Sequence, residues 1–237
     1  MTNSIKISGD GFVSEGKYDV IKIMGDVSSV GDIYAQEVKI KGDAEFNGNL
    51  NFEKLNITGN TFVTGDIKAK DSKLIGDLVV EGNINIDKLI VSGDCKLKSN
   101  VNCETITING NIYIESNLKA KEININGTLK VKGNIECENM VINGMIECDG
   151  VINATNVIVH PYTASYCNII DSNKVEISKY KRKSIFSRNK IQHGRFYCES
   201  IIADDVNLEN SEIKYVEYTD NFIIDENCLI ENKLYKT

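Results

Sequence analysis

Eight glycines, Gly25, Gly42, Gly59, Gly76, Gly93, Gly110, Gly127 and Gly144, recur at one constant step, seventeen places each time, without a slip. A strict period of this length confines a chain to repeat architectures, in which each unit buries its apolar face only against its neighbours. A second column lies six places on, at Gly31, Gly48, Gly65, Gly82, Ser99, Ser116, Gly133 and Gly150. Asp or Asn usually follows the column glycine, as in Gly25-Asp26 and Gly59-Asn60. Both columns are therefore expected to be turns, with positive φ and local side-chain hydrogen bonds.

Counted from the first glycine, positions three, five, nine, eleven, fourteen and sixteen of the repeat are apolar at 45 of 48 places, where the 41% hydrophobic composition would give about 20. Ser29, Thr61 and Ser72 are the exceptions. The six positions form three pairs, and the members of each pair, one residue apart, point to one face of a strand. Three such strands with turns between them make one triangular coil. The expected fold is all-β, a parallel β-helix (solenoid) of 17-residue, three-strand coils. Successive coils would stack about 4.8 Å apart. The β-helix is expected over residues 1–178, with regular coils over 25–160, a basic insertion loop over 179–195 and irregular coils over 196–237. The step from Gly9 to Gly25 implies a first coil one residue short.

The seven cysteines, in a chain that opens without a charged-then-apolar leader, read as reduced thiols in a cytoplasm. Cys95, Cys103, Cys137 and Cys148 fall in inward columns, where a thiol packs as a small hydrophobe. Cys103 and Cys137 share a column two coils apart, roughly 9.6 Å and beyond disulfide reach. No metal and no cofactor is expected. His160 and His193 are the bases a hexapeptide-type acyltransferase would need, but hexapeptide coils repeat in eighteens with equal faces and this chain does not. Turn aspartates resemble calcium-binding repeats only loosely, because those have a period of nine.

A net charge of -7 argues against a nucleic-acid partner. The charge is uneven: Lys174 to Arg195 holds eight basic residues and one acidic, leaving the remainder at -14. Within it Lys181, Arg182, Lys183, Arg188 and Lys190 are candidate contacts to an anionic membrane surface, with Ile185 and Phe186 as inserting side chains. The ends of a β-helix present unpaired strand edges above an apolar core. Ile5, Ile7 and Phe12 at one end and Ile224, Ile230 and Leu234 at the other are the candidate polymer-end residues.

The period, together with the opening Ile7-Ser8-Gly9-Asp10-Gly11 and Gly16-Lys17-Tyr18-Asp19-Val20-Ile21-Lys22-Ile23, resembles the bactofilins, in the long form found in Gram-positive bacteria. Val206-Asn207-Leu208-Glu209 and Val216-Glu217-Tyr218 resemble the end of that form. The resemblance implies a right-handed β-helix that polymerises end to end without nucleotide. It also implies a scaffold at the inner face of the cell membrane that positions cell-envelope proteins. The functional expectation is a non-enzymatic, self-assembling cytoskeletal scaffold whose first partner is itself. The alternatives are a monomeric β-helix adaptor and a β-helix enzyme.

Overall fold

The computed structural model describes residues 3–179 and 194–236 and divides into two compact units, 1–120 and 121–237. Among the described residues there is no helix, and every strand pairing described is parallel.

The first unit contains β1 (Ser4–Ser8), β2 (Gly11–Met24), β3 (Val27–Lys41), β4 (Ala44–Asn47), β5 (Leu50–Thr58), β6 (Thr61–Val63), β7 (Ile67–Ile75), β8 (Leu78–Val80), β9 (Ile84–Ser92), β10 (Cys95–Leu97) and β11 (Val101–Ile114). The register is the sequence period made visible. Val27 stands beside Ala44, Ala44 beside Thr61, Thr61 beside Leu78, Leu78 beside Cys95 and Cys95 beside Ile112. The second and third faces of a coil run on as one bent strand. In β5 the bend falls at Glu53-Lys54, where two exposed residues in succession interrupt the alternation. The first coil is one residue short, as the glycine spacing implies: β2 shifts register against β3 between Ser14 and Gly16.

β12 (Leu118–Val131) holds the point of division. The second unit continues with β13 (Ile135–Pro161), β14 (Ser165–Ile177), β15 (Phe196–Leu208), β16 (Ser211–Ile224) and β17 (Leu229–Tyr235). β14 pairs with β15 across nearly twice the usual step, Ile177 beside Leu208. β15 and β16 pair on a step shorter than the repeat. Cys198 stands beside Ile213 and, beyond a bulge after Ala203, Asp205 beside Asn221.

Of the 48 column positions, 47 are buried; Ala154 is half-buried. The three polar exceptions are buried too, and the hydroxyls of Ser29, Thr61 and Ser72 find no hydrogen-bond partner. The buried hydroxyls of the second unit are partnered. Ser165 Oγ accepts from Ile146 N at 3.2 Å, Ser172 Oγ lies 3.1 Å from the Thr155 carbonyl, and Ser211 Oγ donates to the Glu209 carbonyl at 2.9 Å.

The turns use glycine for closeness as much as for conformation. Gly42 has φ 145°, and a Cβ there would lie 2.2 Å from the Gly25 carbonyl oxygen one coil below. The side-chain bonds at these turns are not local, as the sequence suggested, but run between coils. Asp26 Oδ1 accepts from Asp43 N at 2.8 Å, Asp43 Oδ1 from Asn60 N at 2.7 Å, and Asp77 Oδ1 from Asp94 N at 3.0 Å. A second ladder follows the other corner through Asp32, Asn49, Asp66 and Asn83. At these corners the amide of the Asp or Asn turns toward the preceding coil, whose short carboxylate or amide is the acceptor.

Candidate assembly surfaces

In the first unit, β1 pairs with β2 and, among the described residues, with nothing on its other edge. Ile5 stands beside Ile21 and Ile7 beside Ile23, in the inward columns. Ile21 and Ile23 are fully buried, whereas Ile5 and Ile7 are only half-buried because no rung covers them. Ile7 leans over Gly11, where a Cβ would lie 2.6 Å from its Cδ1. Tyr18, in register with Ala35, donates its hydroxyl to the Ser14 carbonyl at 2.8 Å and so lies across the same coil. Phe12 does not belong to this apolar end. It stands beside Ser28 and is 56% exposed, while its neighbour Val13 is buried. Successive residues of a strand take opposite faces, and counted from Gly9 it is Val13 that falls at an inward position.

In the second unit, β17 pairs with β16 alone among the described residues. Ile224 follows Leu208 in its column and is 44% exposed; Ile230 follows Ile213 and is half-buried. Leu234 stands beside outward-facing Glu217 and is itself outward; the inward place above Val216 belongs to Lys233. The Lys233 ammonium lies 5.6 Å from the Phe222 ring centroid, and Phe222 stacks on Tyr218 at 5.0 Å. Tyr235 tilts against Tyr218 at 5.4 Å. This end carries an aromatic cluster and one inward cation, which sequence reading missed. The signal was present: Lys233 lies one full repeat after Val216.

The membrane-contact candidates Lys181, Arg182, Lys183, Ile185, Phe186, Arg188 and Lys190 lie outside the described residues, as does His193. The described edges of the segment are anchored. Lys179 Nζ pairs with Asp225 Oδ2 at 2.9 Å, and Lys179 N donates to Glu209 at 2.7 Å. His160 Nδ1 lies 2.8 Å from Ser178 Oγ on the neighbouring coil.

All seven cysteines are free thiols. Cys148, Cys167 and Cys198 occupy consecutive rungs of one column, a relation hidden by two sequence steps that both depart from the period. Burial pushes Cys198 up to about 12 and Cys148 to about 11, and raises Cys167 well above the ordinary thiol value. Such thiols stay protonated and pack. Among the described residues no group of three or more His, Cys, Asp or Glu side chains is arranged to hold a metal ion. No helix of the described chain is long and apolar enough to cross a membrane.

A family model described as polymer-forming cytoskeletal, the bactofilin model, matches residues 1–102 and 56–153. No curated protein and no solved structure matches the chain.

Proposed function

The chain belongs to the bactofilin family of polymer-forming cytoskeletal proteins, and on that premise we propose that it is a non-enzymatic scaffold that assembles end to end through its terminal coils. The observation that carries this reading is the contrast within one column. Ile21 and Ile23 are 1% and 2% exposed, while Ile5 and Ile7, one rung out, remain half-exposed beside an unpaired strand edge. A second copy offers the complementary edge and an apolar core of the same cross-section, and joining them satisfies both. At the other end Ile224 and Ile230 are uncovered in the same way. Electron microscopy of the purified protein tests the reading: filaments one coil-stack wide support it, and monodisperse single particles at high concentration overturn it.

On the same reading the scaffold sits at the membrane through the basic segment between β14 and β15. The support is compositional: eight basic residues against one acidic from Lys174 to Arg195. Each basic side chain near an anionic bilayer contributes about 1 kcal/mol. Retention on anionic but not neutral liposomes, lost when Lys181, Arg182 and Lys183 become Ser, is the expected result. Equal retention on both kinds of liposome, or on neither, removes the assignment.

A further inference from the structure

The faces of the first unit are sorted by charge, although its sequence shows no basic run. On the face formed by the third strand segment of each coil, Lys6, Lys22, Lys39 and Lys73 stand in one outward row. Lys54 and Lys88 stand in the row to one side and Lys41 in the row to the other. All seven are exposed, and only Glu37 and Asp71 oppose them in these rows. Lys39 pairs with Glu37 at 2.6 Å; among the described residues the other six lysines form no ion pair. Hydrogen bonding from Lys39 and the positive field of Lys22 and Lys54 hold the Glu37 carboxyl below its ordinary range. Met24 and Ile75, 62% and 46% exposed, add apolar surface to the same face.

The face that opens each coil is the opposite in kind as far as Val79, beyond which its outward row continues with Lys96. A groove of about 660 Å³ runs along it, lined by Asp10, Asp26, Asp43, Glu45 and Asp77 and by no basic residue, with Phe62 and Val79 as apolar lining. Carboxylate rungs and lysine rungs share one spacing, about 4.8 Å, because both are set by the stacking of strands. Each row is broken once, the lysine row at Asn56 and the carboxylate row at Asn60, so the two match charge for charge in the shift that sets Lys6, Lys22, Lys39 and Lys73 against Asp10, Asp26, Asp43 and Asp77. Lysine stems can lie on Phe62 and Val79 while the ammonium groups reach the carboxylates.

The geometry points to a lateral contact between copies of this chain, in which the lysine face of the first unit docks on the aspartate groove of a second copy. The contact is heterologous, the lysine face of one copy on the groove of the next, so each copy keeps one face free for a further copy and scaffolds are joined side by side. It rests on the self-assembling reading but uses faces, not ends, and the two fail separately.

Low-speed sedimentation, which pellets side-by-side assemblies and leaves single filaments in solution, tests it. Two variants keep the fold accessible to circular dichroism. Lys22→Glu with Lys41→Glu and Lys73→Glu reverses the basic face at exposed positions. Asp26→Asn with Asp43→Asn, Asp77→Asn and Glu45→Gln neutralises the groove; Asn already serves as the ladder acceptor at Asn60, which takes the Asp77 amide at 3.1 Å. Wild-type protein is expected to pellet at about 50 mM salt and to be released at about 500 mM, where the screening length falls below the reach of a side chain. Each variant is expected to lower the pelleted fraction roughly tenfold at low salt while filaments persist by microscopy. Unchanged pelleting of either variant overturns the contact. So does loss with the lysine variant alone, and wild-type binding to anionic vesicles in that case reassigns the lysine face to a lipid surface. Filaments lost with lateral pelleting retained would instead count against the end-to-end reading.

Discussion

Tyr166 and Tyr197 stack face to face, ring centroids 4.9 Å apart and planes 8° apart, across the neighbouring strands β14 and β15. The pairing of these strands is in register on both sides of the two rings, with Ser165 beside Phe196 and Ile177 beside Leu208. That register gives the expectation that the intervening segment is not needed to set the stack. Removing residues 180–193 and joining Lys179 to Gly194 leaves five steps from Ile177 to Phe196, against six from Val159 to Ser165 at the preceding coil's corner. Closure entropy varies slowly with loop length. The shortened chain is expected to keep its circular dichroism spectrum and to melt within a few degrees of the intact protein. A molten or aggregated product would mean that the segment builds part of the corner.

Thr61 sits in an inward column, 3% exposed, between Ala44 and Leu78, and its hydroxyl has no partner. An unsatisfied buried hydroxyl costs about 1–3 kcal/mol. Thr61→Val keeps the shape and removes the orphan, and is expected to raise the melting temperature by roughly 2–4 °C per kcal/mol recovered. Ser172→Ala is expected to move the other way, because its hydroxyl reaches the Thr155 and Lys174 carbonyls, both at 3.1 Å. Calorimetry of the two variants side by side decides it; destabilisation by both would mean the Thr61 hydroxyl is served by water.

The inward and outward places are equally separable. Ile108 and Ile125 are fully buried, and an unpaired carboxylate in either place costs several kcal/mol. Ile108→Asp and Ile125→Asp are expected to abolish the β signal in circular dichroism. Lys130 points outward and pairs with Glu147 at 2.6 Å, both partly exposed. Surface pairs of this kind are worth up to about 1 kcal/mol, so Lys130→Asp is expected to leave the fold intact. Equal tolerance of all three changes would contradict the column assignment.

Much of this was legible because a strict period repeats its own evidence. Even Ser29, Thr61 and Ser72, polar by type, were placed inward by their column and are buried there. What escaped was either non-periodic or spread too thinly. Phe12 and Leu234 are apolar residues of the terminal coils, but their registers beside Ser28 and Glu217 turn them outward, which apolar type alone does not reveal. The lysine face was invisible because its members are scattered through the sequence, many a full repeat apart, while the compact run from Lys179 to Lys190 drew all the attention to itself. The aspartate ladders were read as local turn bonds, since sequence spacing alone does not show that a corner amide faces the coil beside it.

Acid should act on the corner beside the basic segment. Burial works against ionisation of Asp225, but Lys179 at 2.9 Å and the amides of Asn210 and Asn227 at 3.0 and 3.1 Å outweigh it and hold the carboxyl far below its ordinary value. A carboxylate whose folded value is depressed contributes stability that is complete above the unfolded value, about 3.9, and is lost as the pH falls below it. Asp225→Asn is expected to lower stability at neutral pH and to flatten its fall between about pH 4 and pH 2. Denaturant titrations at several pH values would show it; an unchanged acid slope would mean the pair contributes nothing to the fold.

The central claim is that uncovered inward side chains at the chain's ends are what copies of the protein bury in one another. Ile7, half-buried beside Ile23, isolates it, because a lysine there charges the joint without entering the covered core. Sedimentation velocity over a concentration series, on wild-type protein and Ile7→Lys with matching circular dichroism spectra, measures it directly. Wild-type protein is expected to form polymers that grow with concentration, and Ile7→Lys to stop at a monomer or a closed dimer. Polymers of Ile7→Lys indistinguishable from wild type, or a wild-type chain that stays monomeric throughout, would contradict it.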